Sequence, residues 1–225
     1  MSCCVGYDAG IVKKLLPLFL LLSPLSLGQT VTLFENDSVR VLKANAVPHQ
    51  LGRLHEHAFN RVMIYLDAGT EDLAYEGGKV SKLSWKAGEV EWSPISGKHT
   101  SNITSNKAVG VVEIELKKPG AGGNASGPLD PLKVDPKHYK IEFENAQVRV
   151  IRAHLGAGES APLHEHALNR VVTYLTPQNV KVTDPAGKST VATHKRGEAT
   201  WGTPTKHKEL NLNQELFEVI AVELK

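Results

Sequence analysis

The sequence predicts an all-β protein made of two tandem antiparallel sandwich or barrel units. Three observations point there. HEHAFNRV, beginning at His55, returns as HEHALNRV, beginning at His164. Each copy is written in short β-branched runs bounded by turn residues, with no long amphipathic helical window. Between the copies lies KKPGAGGNASGPLDPLKVDPK, rich in Gly and Pro and without apolar period, which reads as a linker.

From the N-terminus, the first segment is not part of either unit. Lys13-Lys14 precedes LLPLFLLLSPLSLG, a short apolar run broken by proline. With Ser26 and Gly28 at the −3 and −1 positions, residues 1–28 read as a secretory signal region cleaved before Gln29. The run is too short and too interrupted to span a bilayer comfortably. MSCCVGYDAGI is an odd preface to a signal peptide, and Val12 is an alternative start of translation. The expected product is exported, periplasmic or extracellular, with no membrane attachment after cleavage. Cys3 and Cys4 both precede the apolar run, so the mature chain has no disulfide and must depend on its core. A net charge of +2 with scattered lysines and arginines gives no footprint for nucleic acid.

The units are expected at residues 30–118 and 138–225, joined by a linker over 119–137. FENDSVRV from Phe34 meets FENAQVRV from Phe143, and the match runs without a gap to Trp92 and Trp201. Tyr65 meets Tyr174, and Gly88 meets Gly197. One dropped residue then brings His99 onto His207 and VVEIELK onto VIAVELK. The strand-like runs are VRVLKA, NRVMIYL and AVGVVEIEL, then VRVIRAHL, NRVVTYL and FEVIAVEL.

Six histidines fall at matched positions: His55, His57 and His99, then His164, His166 and His207. On a strand, residues two apart share a face. A His-x-His pair facing a third His on a neighbouring strand makes a three-nitrogen site for a divalent transition metal (Fe, Mn, Zn, Ni or Cu), with positions left open. The competing reading is that these rings only pack and hydrogen-bond inside the unit. His49, His138, His154 and His194 have no repeat partner and are expected on the surface.

These residues carry a resemblance to the cupins, specifically to two-domain cupins. The first cupin motif is matched by His55 and His57, and by His164 and His166. The second is matched by Gly88, Pro94 and His99, and by Gly197, His207 and Asn211. The resemblance implies two tandem double-stranded β-helix (jelly-roll) barrels, each with a metal inside its mouth. It also implies a departure. Where the first motif has a glutamate ligand, this chain has Arg61 and Arg170.

Each arginine lies four residues past a histidine and shares its strand parity, so it should face the same cavity. A dication and a guanidinium about 6 Å apart repel by about 5 kcal/mol at an effective dielectric near 20. Three resolutions are open. An anionic substrate sits between them, an internal carboxylate pairs with the arginine, or the arginine replaces the metal. Arg61, Arg170, Tyr65 and Tyr174 are therefore candidate contacts to a small, anionic ligand. No catalytic residue is identifiable. The functional expectation is a metal-dependent dioxygenase or isomerase acting on that anion. The alternative is a non-catalytic module binding an anion, sugar or metal, or a purely structural bicupin. Trp92 and Trp201 are expected in core or rim packing, and Glu56 and Glu165 pointing outward.

Overall fold

The computed structural model describes Met1, residues 28–123 and residues 125–225. The expected secretory segment up to residue 27, with Cys3 and Cys4, lies outside the described residues. In the first unit the strands are β1 (Gln29–Glu35), β2 (Val39–Ala46), β3 (Arg61–Tyr65), β4 (Gly69–Tyr75), β5 (Val80–Trp85), β6 (Val90–Ser93), β7 (His99–Ile103) and β8 (Val109–Leu116). One short helix, α1 (Pro131–Val134), follows. In the second unit they are β9 (Tyr139–Glu144), β10 (Val148–Leu155), β11 (Ser160–His166), β12 (Arg170–Tyr174), β13 (Gln178–Thr183), β14 (Ser189–His194), β15 (Ala199–Gly202), β16 (Thr205–Asn211) and β17 (Phe217–Leu224). Among the described residues no helix is long and apolar enough to cross a membrane.

Each unit is a pair of facing antiparallel sheets. The larger sheets run β1-β2-β8-β3-β6 and β9-β10-β17-β12-β15, the same order twice. The smaller run β5-β4-β7 and β14-β13-β16-β11. The tandem jelly-roll expectation holds, although no continuous ladder joins the two sheets of a unit into a closed barrel.

The unit-one counterpart of β11 is missing as a strand. His49 takes a left-handed φ of 56°, as its counterpart Gly158 does at 69°, so this turn is common to both units and does not account for the difference. What joins this segment to β7 is two isolated bridges, His55↔His99 and Pro48↔Ile103, and a bond from Gly52 N to Ser101 O (2.7 Å). In the second unit Pro162 falls inside a register shift between Ala161 and His164, where a missing donor is tolerated.

The strands β8 and β17 are buried on both faces, as their near-continuous apolar runs require. One face makes a layer shared by the two units: Val62, Ile64, Val112 and Ile114 pack in one cluster with Val148, Val171, Ile220 and Val222. Each such side chain contributes about 1.5–3 kcal/mol when fully buried. The opposite face looks into a cavity within its own unit. Trp92 and Trp201 pack against the shared layer, as expected of rim or core residues.

Matched turns meet the partner unit in matched ways. Gly88 lies against Arg152 and Leu175, and Gly197 lies against Lys43 and Leu66, which are the repeat counterparts of those two residues. This is the self-complementary pattern of a two-fold interface, written within one chain. Part of the stretch read as linker is folded onto the second unit. Asp130 caps α1 at Leu132 N (3.1 Å), Leu129 O accepts from Glu165 N (2.8 Å), and Arg149 bonds Asp130 (2.8 Å).

Candidate metal centres

The fold brings each set of three histidines to one point. In the first unit His55 pairs across an isolated bridge with His99 of β7. In the second, His164 of β11 pairs with His207 of β16 in a regular ladder. Ring centroids lie 4.7–5.4 Å apart in the first set and 4.4–5.6 Å in the second. One nitrogen from each ring of a set lies within 4.8 Å of the others. Exposure differs: all three rings are buried in the second set, whereas His55 is exposed and His57 half-buried in the first.

Hydrogen bonds on the far ring nitrogens test whether a metal fits. Nδ1 of His55 faces Arg53 O, Nδ1 of His99 faces Gly97 O, and Nδ1 of His164 faces Pro162 O, each at 2.9 Å. Nδ1 of His166 faces Glu223 Oε1 at 2.8 Å. Each acceptor fixes the tautomer with Nδ1–H and leaves the Nε2 lone pair for an ion, the arrangement usual around metal-bound histidines. Burial lowers His164 to about 4, and burial followed by the Arg61 charge lowers His57 to about 3. Both rings are neutral near pH 7, as ligation requires. The second donor set therefore fits a divalent transition metal, and the first fits one once His57 Nε2 is released from Arg61 Nη1 (2.9 Å).

Both arginines reach the cavities, but the reason expected from parity applies in neither unit. Residues 58–60 break the strand between His57 and Arg61, and Arg61 is placed by starting β3. Residues 167–169 likewise separate His166, at the end of β11, from Arg170, which starts β12 in the other sheet. Arg61 is buried and engaged through both terminal nitrogens, while its Nε has no hydrogen-bond partner among the described residues. Its Nη1 lies 2.9 Å from both Glu113 Oε2 and His57 Nε2, and its Nη2 lies 2.9 Å from Ser93 Oγ. Arg170 is equally buried, yet its hydrogen bond is a single one, from Nη1 to Thr203 O at 2.8 Å. Ala221 stands where Glu113 would be. Burial without a bonded carboxylate lowers Arg170 below its ordinary value.

The cavities measure about 420 Å³ in the first unit and about 460 Å³ in the second. Arg61 shares the first with Glu71, Glu91 and Glu113. The second is lined by Arg170, Lys188 and Lys206 against Asp184 and Glu209. Tyr65 and Tyr174 line their cavities, but both hydroxyls are engaged, with Glu91 Oε2 and Thr200 Oγ1 (each 3.1 Å).

Solved structures with this architecture can now be placed beside it. An oxalate decarboxylase from Bacillus subtilis superposes with a TM-score of 0.61 at 12% identity, covering 87% of this chain and 72% of that one. A structure of the same enzyme described by its Mn(II) centres gives 0.60 at 12% identity, with the same coverage. AerE from Microcystis aeruginosa gives 0.59 at 10% identity, covering 88% and 97%. The chain has a bicupin fold. No family model matches the sequence, and a search of curated proteins found no relative. Asn211 of the second motif is structural, its amide donating to Leu155 O, Gly156 O and Glu215 O.

Several expectations need correction. His138 is not on the surface. It is buried between Asp135 (2.7 Å) and Glu159 (3.2 Å), because the residues around α1 fold over it. His154 is half-buried, and His194 is half-buried and stacked on Tyr174 with centroids 3.9 Å apart. Only His49 of that group is exposed. Sequence reading also missed a buried chain behind His166: Glu223 Oε2 accepts from Arg149 Nε (2.7 Å), and Arg149 continues to Asp130. Arg40 and Glu115 repeat the first link in unit one, so the repeat itself carried the signal.

Proposed function

We propose that this chain is an exported, metal-binding bicupin whose second cavity receives a small anionic molecule, as a metal-dependent dioxygenase or isomerase. The observation that carries the reading is Arg170, a buried guanidinium beside three imidazoles with no carboxylate bonded to it. A planar fork with free N–H donors matches a carboxylate or phosphate. A bound divalent metal supplies Lewis-acid polarisation. Arg170 orients the anion, the cavity walls exclude water, and Tyr139 holds its proton, pushed well above its ordinary value by burial and by Glu209. Structural neighbours include enzymes named for oxalate, and one is described by Mn(II) centres, so oxalate and Mn²⁺ are the first probes. A second reading, a binder without turnover, is favoured by the first cavity, where Glu113 and His57 already occupy the arginine.

The test is metal analysis and thermal melting of purified protein. Metal content should fall in a His55→Ala/His164→Ala double variant. Oxalate or phosphate should raise the melting temperature of the wild type and of Arg61→Ala, and not of Arg170→Ala. Equal metal content in wild type and double variant removes the metal reading. An anion shift that survives Arg170→Ala removes the anchor.

A further inference from the structure

We propose that Glu209 is the fourth protein ligand of the second centre, replacing the carboxylate displaced by Arg170, and that the first centre has no equivalent ligand and is latched by Arg61. This rests on the metal-binding reading above and assigns its ligands unequally. Glu209 lies two residues past His207 on β16, so both side chains share a face of the strand. Its Oε1 is 3.4 Å from His207 Nε2. Tyr139 Oη lies 3.2 Å from His164 Nε2 and donates to Glu209 Oε2 at 3.0 Å. Donor atoms that each sit about 2.1 Å from one ion stand about 3.0–3.4 Å apart in octahedral or tetrahedral arrangements; the Glu209–His207 pair meets that spacing, and the three histidine nitrogens lie within 4.8 Å of one another.

Proton bookkeeping gives a second, independent reason. The one N–H of neutral His164 is at Nδ1, facing Pro162 O, so Nε2 carries a lone pair. Tyr139 Oη has one proton for two acceptors, Glu209 Oε2 at 3.0 Å and His164 Nε2 at 3.2 Å, so one lone pair beside the carboxylate is left without a proton. A cation at that convergence satisfies all three.

The first centre is built otherwise. Ser101 occupies the repeat position of Glu209, and its hydroxyl is bonded to Glu71. The Nε2 of His57 faces Arg61 Nη1 at 2.9 Å. A guanidinium has donors and no acceptor, so it blocks that lone pair and cannot itself ligate. A metal enters only when this contact breaks. His57 also lacks the carboxylate bond that fixes His166: Glu115, the counterpart of Glu223, is bonded to Arg40 as Glu223 is to Arg149, and among the described residues it makes no bond to His57.

The experiment is titration of the metal-free full chain with Mn²⁺ or Co²⁺ alone, against a competing chelator, with Co²⁺ visible absorption as a second readout. One tight and one weaker site are expected. Glu209→Gln should weaken the tight site by roughly tenfold or more, the scale on which even outer carboxylates act, and change the Co²⁺ spectrum. Arg61→Met should strengthen the weaker site and leave the tight one alone. Glu209→Asp, which keeps the charge and shortens the reach, should fall between wild type and Glu209→Gln and serves if the latter fails to fold. A wild type that binds no metal overturns this assignment together with the metal reading. A wild type with two equal sites, or a Glu209→Gln variant that binds and absorbs as wild type does, overturns this assignment alone.

Discussion

In the first unit the guanidinium beside the histidines meets Glu113, Ser93 and His57; in the second, the matching guanidinium meets one backbone carbonyl. The units share the strand order of their larger sheets, histidine positions and turn glycines, and yet the charge of each cavity is set differently. One glutamate-for-alanine difference, Glu113 against Ala221, decides whether the arginine is spent internally or left for a ligand. A second, Ser101 against Glu209, decides which histidine set has a carboxylate on its own strand. The repeat thus preserves the scaffold that aims the side chains, and single substitutions on the cavity face set the charge of the two cavities apart.

The largest expected effect breaks the comparison at the support behind the histidines. Arg149 is 4% exposed and bonds Asp130 and Glu223, themselves 3% and 0% exposed. Arg149→Met leaves two buried carboxylates uncompensated and should cost about 3–5 kcal/mol. Arg40, its repeat partner, is 41% exposed and bonds only Glu115. Arg40→Met should cost about 1–3 kcal/mol, the scale of losing one hydrogen bond to a buried charge. Shifts in the urea unfolding midpoint measure both. Equal losses would mean that the clasp from the α1 segment adds nothing.

How much of this was readable beforehand follows from which residues repeat. The six histidines, both arginines and the tryptophans recur at matched positions, and the structure puts them where a shared fold would. Repeat matching is blind to residues in which the copies differ, so Glu113 and Glu209, which set the two sites apart, left no trace in it. Arg61 was aimed correctly by an argument that assumed one unbroken strand from His57; the chain instead breaks at residues 58–60 and restarts in β3. His138 was misplaced because it has no repeat partner, and lacking a partner says nothing of burial; nor does the Gly/Pro-rich composition of residues 117–137 show that the end of this stretch folds. A capping Asp130, Pro131 and the Arg149 contact were enough to fold its end onto the second unit.

The charge comparison itself can be reversed by exchange. Ala221 lines the second cavity, so Ala221→Glu has room to meet Arg170 as Glu113 meets Arg61. The stabilisation expected from an anion such as oxalate, about 2.7 kcal/mol at a hundredfold excess over its dissociation constant, should vanish in Ala221→Glu. Glu113→Ala should make the first cavity responsive and so add an anion-dependent rise in melting temperature that the wild type lacks there. If Ala221→Glu melts with oxalate as the wild type does, the second cavity is not where the anion sits.

The smallest expected effect sharpens the comparison at the interface, where the units are most alike. Gly88 and Gly197 take left-handed φ values of 81° and 74°. Alanine at either position should cost about 1 kcal/mol from that conformation alone. A methyl group on Gly88 would lie 3.5 Å from Arg152 and 3.6 Å from Leu175, ordinary contact distances. One on Gly197 would lie 2.6 Å from the Lys43 Nζ and 2.7 Å from a Leu66 methyl, so both side chains must move. The lysine end moves easily, and Leu66 is held in the shared apolar layer. Gly197→Ala should therefore be the more destabilising of the two by the cost of shifting Leu66, read as the lower urea midpoint. The opposite order would place the tighter half of the interface at Arg152 and Gly88, where a 2.6 Å bond from the arginine to the glycine carbonyl already joins the units.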